Sequence, residues 1–275
     1  MRPLVLFFVF FIAFQAYSLI AMGLGFDIYL AIISAQLIVI LGGALFYRKK
    51  FASPKVSWPS LRKLGMPVWV LGVVIVASIS IGLLGNVVAA AMVELFPPLK
   101  EMAEQYQETI ERLLLSEGLR PQILGAISVA IVAPFCEEIF FRGTLLAEQR
   151  RAQTTLGVIL LNGVLFSAMH GNPVAFVSLT IIGCYLAHIT VYSGAVWAAI
   201  IGHSALNTVN GVLLPRVAQD ITTPEELAWT DILIAIAILL PLTIALWWLS
   251  THLIRRFSTE SSDEPATAAD AKSLG

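Results

Sequence analysis

Apolar stretches separated by short polar breaks run along the chain at about 3–23, 28–47, 66–95, 122–147, 154–171, 173–192, 195–214 and 231–253. A helix needs about 20 predominantly apolar residues to cross a bilayer, and most of these stretches have that length. The sixth and seventh are divided only by "SGA", which predicts a tight turn between two helices. The first could pass for a signal peptide, but its apolar run of about 20 residues exceeds the typical 7–15. The "AMGLGFD" that follows offers no convincing cleavage site, so it reads as a membrane helix. The expected fold is an all-α polytopic membrane protein with about eight transmembrane helices.

Two segments break the pattern. Residues 97–120, "PPLKEMAEQYQETIERLLLSEGLR", carry five glutamates, with Met102, Tyr106, Ile110 and Leu113/Leu114 at helical spacing. That predicts an amphipathic helix on the outer face, as a solvated connector or a gate for substrate. The tail 258–275, "STESSDEPATAADAKSLG", is polar and small, and predicts disorder. The expected organisation is membrane helices 1–3 over 1–96, an extracytoplasmic amphipathic connector over 97–121 and a four-helix core over 122–214. A connector and eighth helix follow over 215–254, then a disordered cytosolic tail over 255–275.

Composition narrows the class. The chain of 275 residues is 58% hydrophobic and only 13% charged, with a mean hydropathy of +0.85. A soluble domain carries about 25% charged residues. The net charge of −1, with no long basic tract, gives no reason to expect a nucleic-acid partner. Cys136 and Cys184 lie in apolar runs and read as small buried hydrophobes. With eight helices and the N-terminus inside, twelve of the 17 Lys and Arg face the cytosol: Arg2, six in "RKKFASPKVSWPSLRK", Arg150, Arg151, Arg255, Arg256 and Lys272. Only Lys100, Arg112, Arg120 and Arg216 lie outside. This follows the positive-inside rule and predicts a plasma-membrane protein with both termini cytosolic. The loop could also hold anionic headgroups, although orientation alone explains it.

The remaining arginine, Arg142, lies within "APFCEEIFFRGTLL" beside Glu137 and Glu138. Each charge at the bilayer centre costs roughly 2.5–3.5 kcal/mol. Glu138 and Arg142 are four apart and can pair on one helical face. Glu137 stands roughly 140° away from Arg142 and has no partner on its own helix. Later helices add "FSAMH", with Phe166 and His170, and "HSALN", with His203 and Asn207, each pair four apart. Counted at about 1.5 Å per residue from the cytosolic helix ends, Glu137 lies roughly 20 Å deep, His170 24 Å, His203 12 Å and Asn207 18 Å. The fourth, fifth and seventh helices can therefore share one polar pocket.

Such a pocket suits a carboxylate that deprotonates water, with His or Asn stabilising an oxyanion. Ser167 and Ser204 point off the histidine faces, and Cys136 has no His partner nearby on its helix. Glu137, His170 and His203 could instead ligate zinc, although the H-E-x-x-H helix is absent.

The three motifs, EExxxR at Glu137, Glu138 and Arg142, FxxxH at Phe166 and His170, and HxxxN at His203 and Asn207, resemble those of the CPBP family. This is the CAAX-protease and bacteriocin-processing (ABI) family, which includes the type II CAAX prenyl endopeptidases. The resemblance covers about residues 122–214; the flanking helices match no motif. It implies an intramembrane endopeptidase in which Glu137 and His170 activate water, and His203 and Asn207 stabilise the oxyanion. Glu138 and Arg142 would hold the architecture, and Phe166 would pack around the site. Members are described both as metalloproteases and as metal-independent glutamate proteases. The Glu138–Arg142 pair takes one carboxylate out of the ligand count, which favours a site without metal. The implied partners are membrane lipid and a peptide or protein substrate, a prenylated C-terminus being one candidate.

Blander readings compete. The charged trio could be a structural ion-pair cluster, and His170 an interhelical hydrogen bonder. His188, Asn162, Asn172 and Asn210 read as structural. Gly82, Gly85, Gly157 and Gly163 read as close-packing positions, and Trp197, Trp229, Trp247 and Trp248 as interfacial belts. A proton-coupled transporter would use the same residue types, but the chain shows no inverted repeat. A non-catalytic scaffold or immunity protein is the third possibility; a broken motif would favour it, and none is broken.

Overall fold

The computed structural model describes residues 2–51, 59–61, 63–221 and 228–260, which are helical apart from short connections and one isolated bridge between Ser60 and Ala195. The helices are α1 (Arg2–Gly23), α2 (Ile28–Phe51), α3 (Val68–Leu95), α4 (Leu99–Leu114), α5 (Leu119–Gln149), α6 (Thr155–His170), α7 (Phe176–Ser193), α8 (197–221) and α9 (Trp229–Glu260). The protein is an all-helical membrane protein.

Every predicted apolar stretch is helical, but not every helix is a self-sufficient span. Six, α1, α2, α3, α5, α7 and α9, are long and apolar enough to cross a bilayer. The expected eight is not reached on that measure. The 16-residue α6 is too short, and α8 has its apolar run diluted by His203, Asn207 and Asn210. These two carry the histidine motifs. Each buries one side against neighbouring helices, which relaxes the demand for a continuous lipid-facing surface. The last helix also overruns its expected end near 253. It continues to Glu260, so residues 255–260 belong to it and not to a disordered tail. Residues 261–275 lie outside the described residues, as do Lys55 and Arg62 of the basic loop.

Local chemistry sets the boundaries. The Asp27 Oδ1 caps α2 by accepting from the Leu30 backbone N–H at 2.8 Å, and Thr154 caps α6 in the same way. Gly171 (φ 59°) ends α6 directly after His170, and Gly194 (φ 66°) makes the turn predicted at "SGA". The amphipathic helix α4 forms as expected. Its Leu113 and Leu114 are buried against Tyr29, Ala130 and Val212, while Met102 and Tyr106 stay exposed.

In lipid, helices associate through close packing and interhelical hydrogen bonds, since the surrounding tails are as apolar as the helices. The α6–α7 crossing is built that way. A Cβ added at Gly163 would stand 2.8 Å from the Thr180 carbonyl oxygen, and one at Gly183 would stand 2.8 Å from the Gly163 Cα. Gly157 instead sits by the Thr154 cap. Helix α3 packs at the centre through Val70, Val74, Ala77 and Ile81, and meets α9 through Ser80 Oγ and Thr243 Oγ1 at 2.7 Å.

Four stretches widen into π-helix: 35–42 in α2, 128–132 and 141–145 in α5, and 207–213 in α8. All lie in helices that meet at the candidate site, where π turns are commonly found. The stretch at 128–132 has an identifiable cause. Pro134 has no backbone N–H, and the Ala133 N–H reaches back to Ser128. The Val129 carbonyl is thereby left without its usual helical donor.

Candidate active site

The structure brings the three motifs together. Glu138 and Arg142 pair as their spacing predicts, with Arg142 Nη1 donating to Glu138 Oε1 at 2.7 Å. Both side chains are fully buried. Arg142 Nη2 donates to the Gly183 carbonyl at 2.9 Å, within reach because the glycine crossing draws α7 close. The guanidinium lies over the Phe166 ring, 4.6 Å from its centroid. From α8, His203 Nδ1 donates to the same Glu138 oxygen at 2.8 Å. Glu138 thus ties α5 to α8 through His203, while Arg142 ties α5 to α7.

Glu137 faces elsewhere and finds partners on other helices. Its Oε1 accepts from Gln36 Nε2 of α2 at 2.8 Å. Its Oε2 stands 3.9 Å from His170 Nε2, too far for a direct hydrogen bond. His170 Nδ1 lies 2.9 Å from the Phe166 carbonyl oxygen. A carbonyl only accepts, so Nδ1 carries a proton, and in the neutral ring Nε2 presents its lone pair toward Glu137. A water about 2.8 Å from both Oε2 and Nε2 would see them at an angle of about 90°, near enough to donate to each. Glu137 is 12% exposed and His170 31%, which leaves room for solvent to enter.

Phe166 has more to do than its motif position implies. Its buried ring touches the His170 ring at 4.8 Å and the His203 ring at 5.5 Å between centroids, besides the Arg142 guanidinium. It fixes the spacing of the two histidines. Asn207 donates from Nδ2 to the Val129 carbonyl at 2.9 Å, the oxygen that Pro134 and the π stretch leave open. One amide hydrogen and the amide oxygen remain for other partners.

Among the described residues no three His, Cys, Asp or Glu side chains gather as a metal site. Glu137, His170 and His203 are not drawn into one three-ligand cluster, and His203 Nδ1 bonds Glu138, which leaves Nε2 as its other ring nitrogen. The other candidates are structural in their contacts. Asn162 Nδ2 donates to the Phe141 carbonyl and to Gln149 Oε1, Asn172 Oδ1 accepts from the Val174 N–H, and Asn210 Nδ2 donates to the Leu206 carbonyl. His188 turns to Thr251 of α9 at 2.9 Å. Cys136 and Cys184 are free and buried. Trp247 packs against Tyr185 inside the protein, with ring centroids 5.0 Å apart, where a belt residue was expected.

Gln36 is the residue that sequence reasoning missed. Its signal was a lone primary amide in the apolar run "AIISAQLIVILGG"; no motif includes it. No curated protein and no solved structure matches the chain. Over residues 119–209, which hold all three motifs on α5, α6 and α8, the chain matches the model of the Rce1-like family, the type II CAAX prenyl endopeptidases.

Proposed function

We propose that the protein is an intramembrane peptidase of the CAAX-protease type, hydrolysing a peptide bond in a membrane-associated substrate without a metal. One observation carries this reading: Glu137 Oε2 and His170 Nε2 face each other at 3.9 Å with their other polar atoms already engaged. Water held between them loses a proton to Glu137 as its oxygen attacks the carbonyl carbon, and His170 orients it. The oxyanion is met by His203 and Asn207. His203 Nδ1 is committed to Glu138, so Nε2 can donate only when the ring is an imidazolium, a cation that the Glu138 carboxylate supports. The proton on Glu137 then passes to the departing amine, closing the balance. Glu138 and Arg142 act by holding this geometry. The protein lies in the plasma membrane with both termini in the cytosol, and a prenylated C-terminus is one candidate substrate.

The test is cleavage of fluorogenic peptides, farnesylated and unfarnesylated, by purified protein in lipid nanodiscs, wild type beside Glu137→Gln, with and without chelator. Cleavage that survives chelator and falls at least a thousandfold in E137Q supports the proposal. Loss of wild-type cleavage on chelation overturns the metal-free step, and equal cleavage by E137Q overturns the role of Glu137.

A further inference from the structure

Helix α2 lies outside the matched region 119–209, yet it supplies the shortest contact made to Glu137. We propose that Gln36 is a positioning residue of the active site, the third member of a Gln36–Glu137–His170 set, and that the N-terminal helices complete the catalytic core. This rests on the reading of Glu137 as the group that activates water.

The argument starts from the cost of the residue. A primary amide in a lipid-spanning helix is expensive unless it is paired, and Gln36 is only 5% exposed. Its Nε2 donates to Glu137 Oε1 at 2.8 Å. Its Oε1 is buried with no hydrogen-bond partner among the described residues. Gln36 spends its donor on one oxygen of the candidate base and leaves its acceptor open beside it.

The consequence is a division of labour within the Glu137 carboxylate. A carboxylate whose two oxygens are equally free can rotate, and either can face the water. With Oε1 held by Gln36, Oε2 is the oxygen left 3.9 Å from His170 Nε2. Gln36 thereby selects the oxygen that takes the proton. The local backbone serves the same end, since Gln36 lies in the π-helical stretch 35–42. A wider turn rotates side chains away from the regular 100° progression.

The experiment compares Gln36→Met, which keeps the volume and removes the donor, and Gln36→Glu, which keeps the shape and replaces the donor with an acceptor. Wild type and E137Q are run beside them in nanodiscs on the farnesylated and unfarnesylated peptides. Expected is a ten- to hundredfold fall in kcat with KM within twofold, about 1.4–2.7 kcal/mol at 1.36 kcal/mol per decade. A purely structural Gln36 would instead lower the melting temperature and disturb KM and kcat together. An activity-independent reading comes from infrared difference spectra, wild type minus E137Q, which isolate the Glu137 carboxyl band. Q36M should move that band in the resting protein. A folded Q36M or Q36E with kcat within threefold of wild type, or an unmoved band, overturns the proposal. E137Q cleaving like wild type would instead overturn the underlying reading of Glu137, and this inference with it.

Discussion

Arg142→Met tests whether the buried charge network holds the site together. The wild-type guanidinium is fully buried, bonded to Glu138 at 2.7 Å and to the Gly183 carbonyl at 2.9 Å, and stacked 4.6 Å from the Phe166 centroid. Methionine fills much of the volume and supplies none of these contacts. The lost bond to a carboxylate accounts for about 1.5–3 kcal/mol, and the desolvated cation–π contact for up to about 2. Together they agree with the roughly 3–5 kcal/mol expected when one partner of a buried ion pair is removed. At about 2–4 °C per kcal/mol for a chain approaching this size, the melting temperature should fall by roughly 6–20 °C. Tryptophan fluorescence in nanodiscs would read it. Glu138→Leu with R142M removes the orphaned carboxylate, so the double variant should be at least ~2 kcal/mol more stable than the sum of the single losses predicts. A melting temperature within about 3 °C of wild type, or strict additivity in the double variant, would show that the pair does not carry the load assigned to it.

Gly163→Ala forces a methyl to 2.8 Å from the Thr180 carbonyl oxygen and should cost about 1–3 kcal/mol by overpacking, measured as lowered thermal stability. His170→Asn keeps an amide able to reach the Phe166 carbonyl but removes the Nε2 lone pair, so peptide cleavage should fall at least a hundredfold with melting unchanged. Asn207→Leu should lower kcat by about 10²–10³, the range for one oxyanion donor. If only KM rises, Asn207 belongs to substrate binding. Ser80→Ala, which removes one side of the 2.7 Å hydroxyl pair with Thr243, should cost only about 0.6 kcal/mol, the average for an interhelical bond in lipid.

What the sequence disclosed and what it hid divide along a physical line. Hydropathy placed the apolar helices, because the bilayer imposes one length and one polarity on every span that faces it. Of the eight spans it predicts, six stand on length and apolarity alone, while α6 and α8 bury part of their surface against neighbouring helices. The fourfold spacing correctly paired Glu138 with Arg142, since that contact lies within one stretch of helix. It left Glu137 without a partner, because Gln36 and His170 come from other helices and no local period points to them. The zinc alternative was open from residue types alone. The bond from His203 Nδ1 to Glu138 was also invisible in sequence, because its partners lie 65 residues apart on different helices.

The π-helical stretches were the other hidden element, and they explain why motif spacing alone does not give the geometry at the candidate site. A regular helix fixes the face of each residue from its neighbours, and each widened turn resets that register. Arg142 and Asn207 lie inside such turns, as does Gln36. Pro134 shows how one residue can set such a change in motion. The Ala133 N–H reaches back to Ser128 and Pro134 has no N–H to offer in its place, so the Val129 carbonyl is open, and that oxygen anchors Asn207 from α8. The proline stands three residues before Glu137, so the residue that disturbs the helix also precedes the candidate base on the same chain segment. Proline in a membrane helix is tolerated where a neighbouring helix satisfies the freed backbone. Here the satisfying group is itself a motif residue, so the repair of the helix and the assembly of the site are one contact.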